Sequence, residues 1–136
     1  MRQLSELNPH SYKTNSTIDR NLVVLFSRLG ELQKAFGKEF TVTSGLRSAE
    51  KQQALIDAGK TSARFSLHLA GAAADILDSD VALAEYCKSN LKLLEVIGLW
   101  IEDVDVIAKL AKQYKTDRWV HFQILAPRSG KRMFIP

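Results

Sequence analysis

Three features of the 136-residue sequence predict an α+β domain, a small and mostly antiparallel sheet packed against helices. Apolar residues recur at helical spacing over residues 18–36, early in the chain. Short β-branched or alternating runs occupy residues 39–44, 72–77 and 119–125. The polar residues with most chemical potential lie on or beside those runs, so the sheet is expected to carry the chemistry and the helices to cover it. At this length the whole chain, residues 1–136, is expected to form one domain around a single core.

Residues 1–15 are polar, with Pro9 and little periodicity, and read as an extended N-terminal arm. Ser16 or Thr17 then suits a helix N-cap, with Asp19 in the first turn, where the helix dipole favours negative charge. Ile18, Leu22, Leu25, Phe26, Leu29, Leu32 and Phe36 form one apolar face, and Gly37 closes the helix. A strand over 39–44 ends in Ser44-Gly45-Leu46-Arg47-Ser48, where Gly45 permits a sharp turn and Ser48 caps a helix over about 49–58. A polar loop, 60–65, leads to a second strand at 72–77. Asp78 or Ser79 is expected to cap a helix through about 90, and residues 91–96 continue as a helical turn before Gly98. A third strand is expected at 99–102 and a helix at 103–113. A strand over 119–125 is expected to pair with residues 132–135 across a turn at 127–130.

Composition narrows the partners. An apolar fraction of 46% with 25% charged residues is ordinary for a globular domain, and no apolar stretch is long enough to span a membrane. No secretory leader is visible at residues 1–6, so synthesis in the cytoplasm without a signal peptide is the expectation. Nineteen basic and fifteen acidic residues give a net charge of +4, and the pI is near 9.3. The excess favours anionic polymers, but the cations are scattered with no basic run, which argues against a nucleic-acid partner. Cys87 is the one cysteine, so an internal disulfide is excluded. Its place in an amphipathic helix suits a packed thiol.

The stretch Ser66-Leu67-His68-Leu69-Ala70-Gly71-Ala72-Ala73-Ala74-Asp75 sets an imidazole and a carboxylate seven residues apart among small residues. His121 follows 46 positions after Asp75, within Trp119-Val120-His121-Phe122. Two imidazoles and one carboxylate suit a catalytic zinc, because three protein ligands leave a position for water. Strand alternation puts Trp119, His121 and Gln123 on one face, with Asp117 if the strand reaches back that far. Val120, Phe122 and Ile124 face the other way. Asp75 has apolar neighbours on both sides, and a buried carboxylate there demands a metal or a hydrogen-bond network.

The combined pattern is more specific than its parts. Ser44, Gly45, Arg47 and Ser48, then Ser66, His68, Gly71, Ala73 and Asp75, then Trp119 and His121, resemble the motifs of the zinc D-Ala-D-Ala carboxypeptidase family. That group of small murein peptidases includes vancomycin-resistance dipeptidases and phage L-alanoyl-D-glutamate endolysins. The resemblance covers about residues 40–125. It implies a compact α+β fold, one Zn2+, and hydrolysis of peptide bonds in peptidoglycan stem peptides, of D,D-carboxypeptidase or L-Ala-D-Glu endopeptidase type, with metal-bound water as nucleophile. It assigns the metal to His68, Asp75 and His121, and to Arg47 the holding and polarising of the substrate carbonyl. A fixed guanidinium aimed at developing negative charge is a strong transition-state device. Ser66 either bonds substrate or shapes its loop, and Trp119 either floors the substrate groove or packs in the core.

The general base departs from the family pattern. The family carries Glu or Asp three residues before the last zinc histidine, and that place here is Arg118. Asp117, one step back, and Glu102, closing the third strand, are the two candidates. The resemblance and the absent leader together suggest a phage or prophage product that reaches the cell wall after release or as part of a virion. The alternative is a catalytically weak or inactive metal-binding virion module of the same fold.

Overall fold

A computed structural model describes residues 1–61 and 66–136. Part of the expected 60–65 loop, residues 62–65, lies outside the described residues. Helix α1 spans Ser16–Phe36. Its N-cap is Asn15 rather than Ser16 or Thr17, because the Asn15 side chain accepts from the Ile18 amide at 2.9 Å. Gly37 closes it in the left-handed conformation expected of a C-cap glycine. The remaining elements are β1 (Val42–Ser44), α2 (Ala49–Asp57), β2 (Ala73–Leu77), α3 (Ala82–Ser89) and α4 (Leu91–Ile97), then β3 (Trp100–Glu102), α5 (Val104–Tyr114), β4 (Trp119–Gln123) and β5 (Met133–Phe134). Ser48 caps α2 through the Lys51 amide, as its position predicts, and Asp103 caps α5 through the amides of Asp105 and Val106. Asp78 serves α3 from a distance, its buried carboxylate accepting from the amides of Leu83 and Ala84.

The five strands lie in the order β1-β2-β4-β3-β5. Three ladders are antiparallel and the last, β3 with β5, is parallel. The fold class is therefore the α+β, mostly antiparallel arrangement that the sequence predicts. The pairing of the C-terminal strand is different. The turn at 127–130 forms, with the Gly130 amide on the Pro127 carbonyl at 3.0 Å. However, β4 is already bonded on both sides, to β2 and β3, so the last strand takes the free edge of β3 instead.

Alternation divides the sheet into two faces. Ala74, Ile76, Ile101, Val120 and Phe122 are fully buried and join Leu22, Leu25, Leu29 and Leu32 of α1 in one core cluster. Burial of each large side chain in this cluster is worth roughly 1.5–3 kcal/mol, and Leu83 and Cys87 of α3 and Leu94 of α4 belong to the same cluster. Asp75, His121, Gln123, Trp100 and Glu102 stand on the opposite face.

The first 15 residues are not an extended arm. Leu4–Leu7 forms a 3-10 turn, and Met1 and Leu7 are buried in the core. The Leu46 amide donates to the Leu7 carbonyl at 2.8 Å. Leu4 and Leu7 alone in a polar segment make too short a pattern to signal a core element, so only the fold reveals their place.

Candidate metal centre

Asp75 and His121 are direct register partners on β2 and β4, and their side chains rise on the same face of the ladder. His121 Nδ1 lies 2.9 Å from Asp75 Oδ1. His68 comes from a 3-10 turn, Leu67–Ala70, immediately before β2, and its Nε2 lies 3.4 Å from the same oxygen. One ligand atom from each of the three residues lies within 4.8 Å of the other two.

The turn that carries His68 is held from three sides. Ser66 caps it, its hydroxyl oxygen accepting from the His68 amide at 3.2 Å, so Ser66 shapes the loop. Asn21 of α1 donates to the Ala70 carbonyl at 2.9 Å. Gly71 ends the turn at φ 68°, against Leu22 and Ile18 of α1, where a side chain would meet both strain and crowding.

Each imidazole also has its second nitrogen engaged. His68 Nδ1 lies 2.9 Å from the Gly45 carbonyl oxygen, which can only accept. His121 Nε2 lies 3.0 Å from Gln123 Oε1, and Gln123 Nε2 donates to the Leu125 carbonyl at 2.8 Å. That second bond fixes the amide orientation, so Gln123 presents its oxygen to His121. Both outer nitrogens must therefore donate. In the neutral tautomers this leaves the lone pairs of His68 Nε2 and His121 Nδ1 aimed at one carboxylate oxygen. Three electron-rich atoms facing one another in a buried place require a cation between them, either protons or a metal. Side-chain nitrogens oriented by an outer acceptor are the usual dress of metal-binding histidines. The donor set fits zinc.

The ionisation tendencies follow from the same geometry. Burial pushes the Asp75 carboxyl up, but the two imidazoles outweigh it and hold the group well below the ordinary carboxylate range. Burial pulls His68 down, with Asp75 only partly opposing it. Burial acts on His121 in the same sense, but the Asp75 hydrogen bond and charge, helped by Glu102, leave it raised. The two imidazoles thus differ because His121 sits closer to the carboxylate and senses a second acid.

Arg47 lies beside this cluster, with Nη2 at 3.6 Å from Asp75 Oδ2. Its Nε donates to the Ser44 hydroxyl and its Nη1 to Gln52 Oε1, both at 3.2 Å. Its own amide donates to the His68 carbonyl at 3.1 Å, which ties the arginine turn to the histidine turn. Gln52, almost fully buried on α2, is a partner that the sequence does not announce, since a glutamine on a short polar helix reads as a solvent-facing residue.

A cavity of about 360 Å³ opens from Arg47 and Asp75 between the sheet end and α5, lined also by Leu77, Leu110, Tyr114 and Trp119. Trp119 is therefore a wall of that groove. Asp117 lies on its rim, but β4 begins at Trp119, so the alternation expected to carry Asp117 onto the His121 face does not reach it, and it is exposed. Glu102 is different. It is half-buried, and its carboxyl is pushed up by burial while feeling the charges of His121 and Asp75. Among the described residues no helix is long and apolar enough to cross a membrane.

A model of the family described as Peptidase M15 matches residues 2–99, which includes Arg47, His68 and Asp75 and stops short of His121. Among solved structures, the Serratia marcescens L-Ala D-Glu endopeptidase ChiX is similar in fold at a TM-score of 0.53. The alignment is 18% identical and covers 91% of this chain and 98% of that one. Comparison with curated proteins returns no match.

Proposed function

Because the chain belongs to the Peptidase M15 family, we propose that it is a zinc-dependent peptidase acting on the stem peptides of bacterial peptidoglycan. The observation that carries this reading is the convergence of His68 Nε2 and His121 Nδ1 on Asp75 Oδ1, with the Arg47 guanidinium alongside. His68, Asp75 and His121 would hold the zinc. When bound, the ion supplies Lewis acidity that activates water and polarises a carbonyl.

The chain's own groups supply the rest. Arg47, fixed by Ser44 and Gln52, presents a positive charge to the scissile carbonyl and stabilises the oxyanion as water adds. The Glu102 carboxylate takes a proton from the attacking water and passes it to the leaving amine. A raised carboxyl close to His121 suits that exchange better than the exposed Asp117 does. Trp119 and its apolar neighbours align the peptide in the groove. The resemblance in fold to an L-Ala D-Glu endopeptidase supports cleavage between the first two stem residues, ahead of a D,D-carboxypeptidase cut.

Incubating the zinc-loaded protein with purified peptidoglycan and weighing the released fragments tests this reading. New N-termini at D-Glu are expected. Release of terminal D-Ala would reassign the bond, and no release at high enzyme levels would favour a metal-binding virion module.

A further inference from the structure

The groove beside the metal centre continues past the ligands, and its far end carries charge that the proposed reaction does not use. Leu77 and Trp119 are register partners, two residues along the ladder from Asp75 and His121 and on the same face. At about 3.3 Å per residue they form a floor about 7 Å farther along the sheet. One wall is the end of α2 and the residues after it, through Leu55 and Lys60, and the other is α5, through Leu110 and Tyr114. The Tyr114 hydroxyl donates to the Gly59 carbonyl at 3.4 Å and joins the two walls.

Among the described residues the charged groups lining this groove are Arg47, Lys60, Asp75, Asp117 and Arg118. Arg47 and Asp75 face each other at 3.6 Å, and both imidazoles engage Asp75 as well. That leaves Lys60 and Arg118 against Asp117 alone. Among the described residues none of these three side chains is held in an ion pair. Arg118 is half-buried, and its carbonyl accepts from the Asp78 amide at 2.8 Å, which fixes its backbone where β2 and β4 part. Lys60 is exposed on the α2 wall. A cation beside an apolar floor attracts an anion more strongly than one in open water, because less water screens it.

We propose that Lys60 and Arg118 form a carboxylate-recognition subsite at the end of the groove away from the metal centre. An extended peptide covers about 3.3–3.6 Å per residue, so the carboxylate it reads lies within about three residues of the scissile bond. The proposal rests on the reading of this groove as the path of a stem peptide, and it adds two residues that select the substrate without taking part in the chemistry. A stem peptide offers two such groups, the α-carboxylate of D-Glu and the C-terminal carboxylate.

The test uses a synthetic stem peptide, L-Ala-γ-D-Glu-L-Lys-D-Ala, and two derivatives, one amidated at the D-Glu α-carboxylate and one at the C-terminus. Binding of each is measured by calorimetry before zinc is added, and cleavage after zinc loading. Amidating the recognised carboxylate is expected to weaken binding to the parent by about 10-fold and to raise KM while leaving kcat near its value for the free acid. The derivative affected identifies the carboxylate that is read. A protein carrying both Lys60→Gln and Arg118→Gln is expected to lose that preference, and Arg118→Lys is expected to keep it. A parent that binds all three peptides alike, or binds none, overturns the proposal, as does a double variant that keeps the parental preference. Should the double variant fail to fold, Lys60→Glu, a change at an exposed position, decides: a preference that it leaves intact overturns the proposal. Binding with preference but no cleavage would end the proposed function and leave this inference standing, and cleavage without preference would do the reverse.

Discussion

Asp75 and His121 face each other as paired residues across the β2–β4 ladder, and their side chains meet at 2.9 Å on the sheet face turned away from α1. A five-residue antiparallel register therefore fixes two of the three candidate ligands, with no loop between them that could drift. Asp75→Ala keeps the ladder and removes the oxygen on which both imidazoles converge. Zinc affinity measured by chelator competition should fall by more than the about 10–100-fold typical of an outer contact. Unaltered affinity would show that the ion sits elsewhere.

The Gly45 backbone packs directly against the backbone of Leu7. A Cβ at Gly45 would overlap the Leu7 backbone carbonyl, and backbone cannot yield as a flexible side chain can. Gly45→Ala is expected to cost about 1–3 kcal/mol of stability in denaturant unfolding. Because the Gly45 carbonyl orients His68, zinc affinity should fall as well. A variant with parental stability would mean that the N-terminal segment is easily displaced.

The two candidate bases separate by substitution. Glu102→Gln should retain zinc and lose about 10²–10⁴-fold in peptidoglycan hydrolysis, the usual contribution of a general base. Asp117→Asn should leave both near the parent level, since Asp117 lies before β4 on the groove rim. The reverse result would return the role to Asp117.

Cys87 gives a pH dependence remote from the centre. Burial, with the Asp78 carboxylate adding, pushes its thiol up from 9.0 to about 12. A neutral thiol in the fold and a thiolate in the unfolded chain favour unfolding once the pH exceeds the ordinary value. The stability contributed by the buried thiol is therefore whole below about pH 9 and lost as the pH rises toward 12. Cys87→Ala should flatten that alkaline loss in thermal melts, and the native thiol should resist thiol reagents at neutral pH until denaturant is added.

Much of this arrangement was legible in the residues, and the parts that were not have physical reasons. Helical periodicity and Gly37 identify α1, and Ser48 identifies the start of α2, because those signals are local. Strand alternation puts His121 and Gln123 on one face, and the structure brings His68, Asp75 and Arg47 to it. Strand order is different in kind. Residues 132–135 carry a β pattern after a turn, which suggests a hairpin with β4, but the occupied edges of β4 are a property of the whole sheet. The Gly45 carbonyl meets His68 from 23 residues away, and Gln52 reaches back five residues to Arg47 across the start of α2, and no spacing rule encodes either contact. The role of Gln123 had a trace in the sequence, a polar amide on the His121 face of a buried strand, without the Leu125 contact that gives it direction.

Anomalous diffraction at the zinc edge from zinc-loaded crystals would locate the ion proposed to be shared by His68, Asp75 and His121. One strong peak bounded by His68 Nε2, Asp75 Oδ1 and His121 Nδ1 is the predicted result. A map with no peak there, or with its strongest peak at other residues, would contradict the claim.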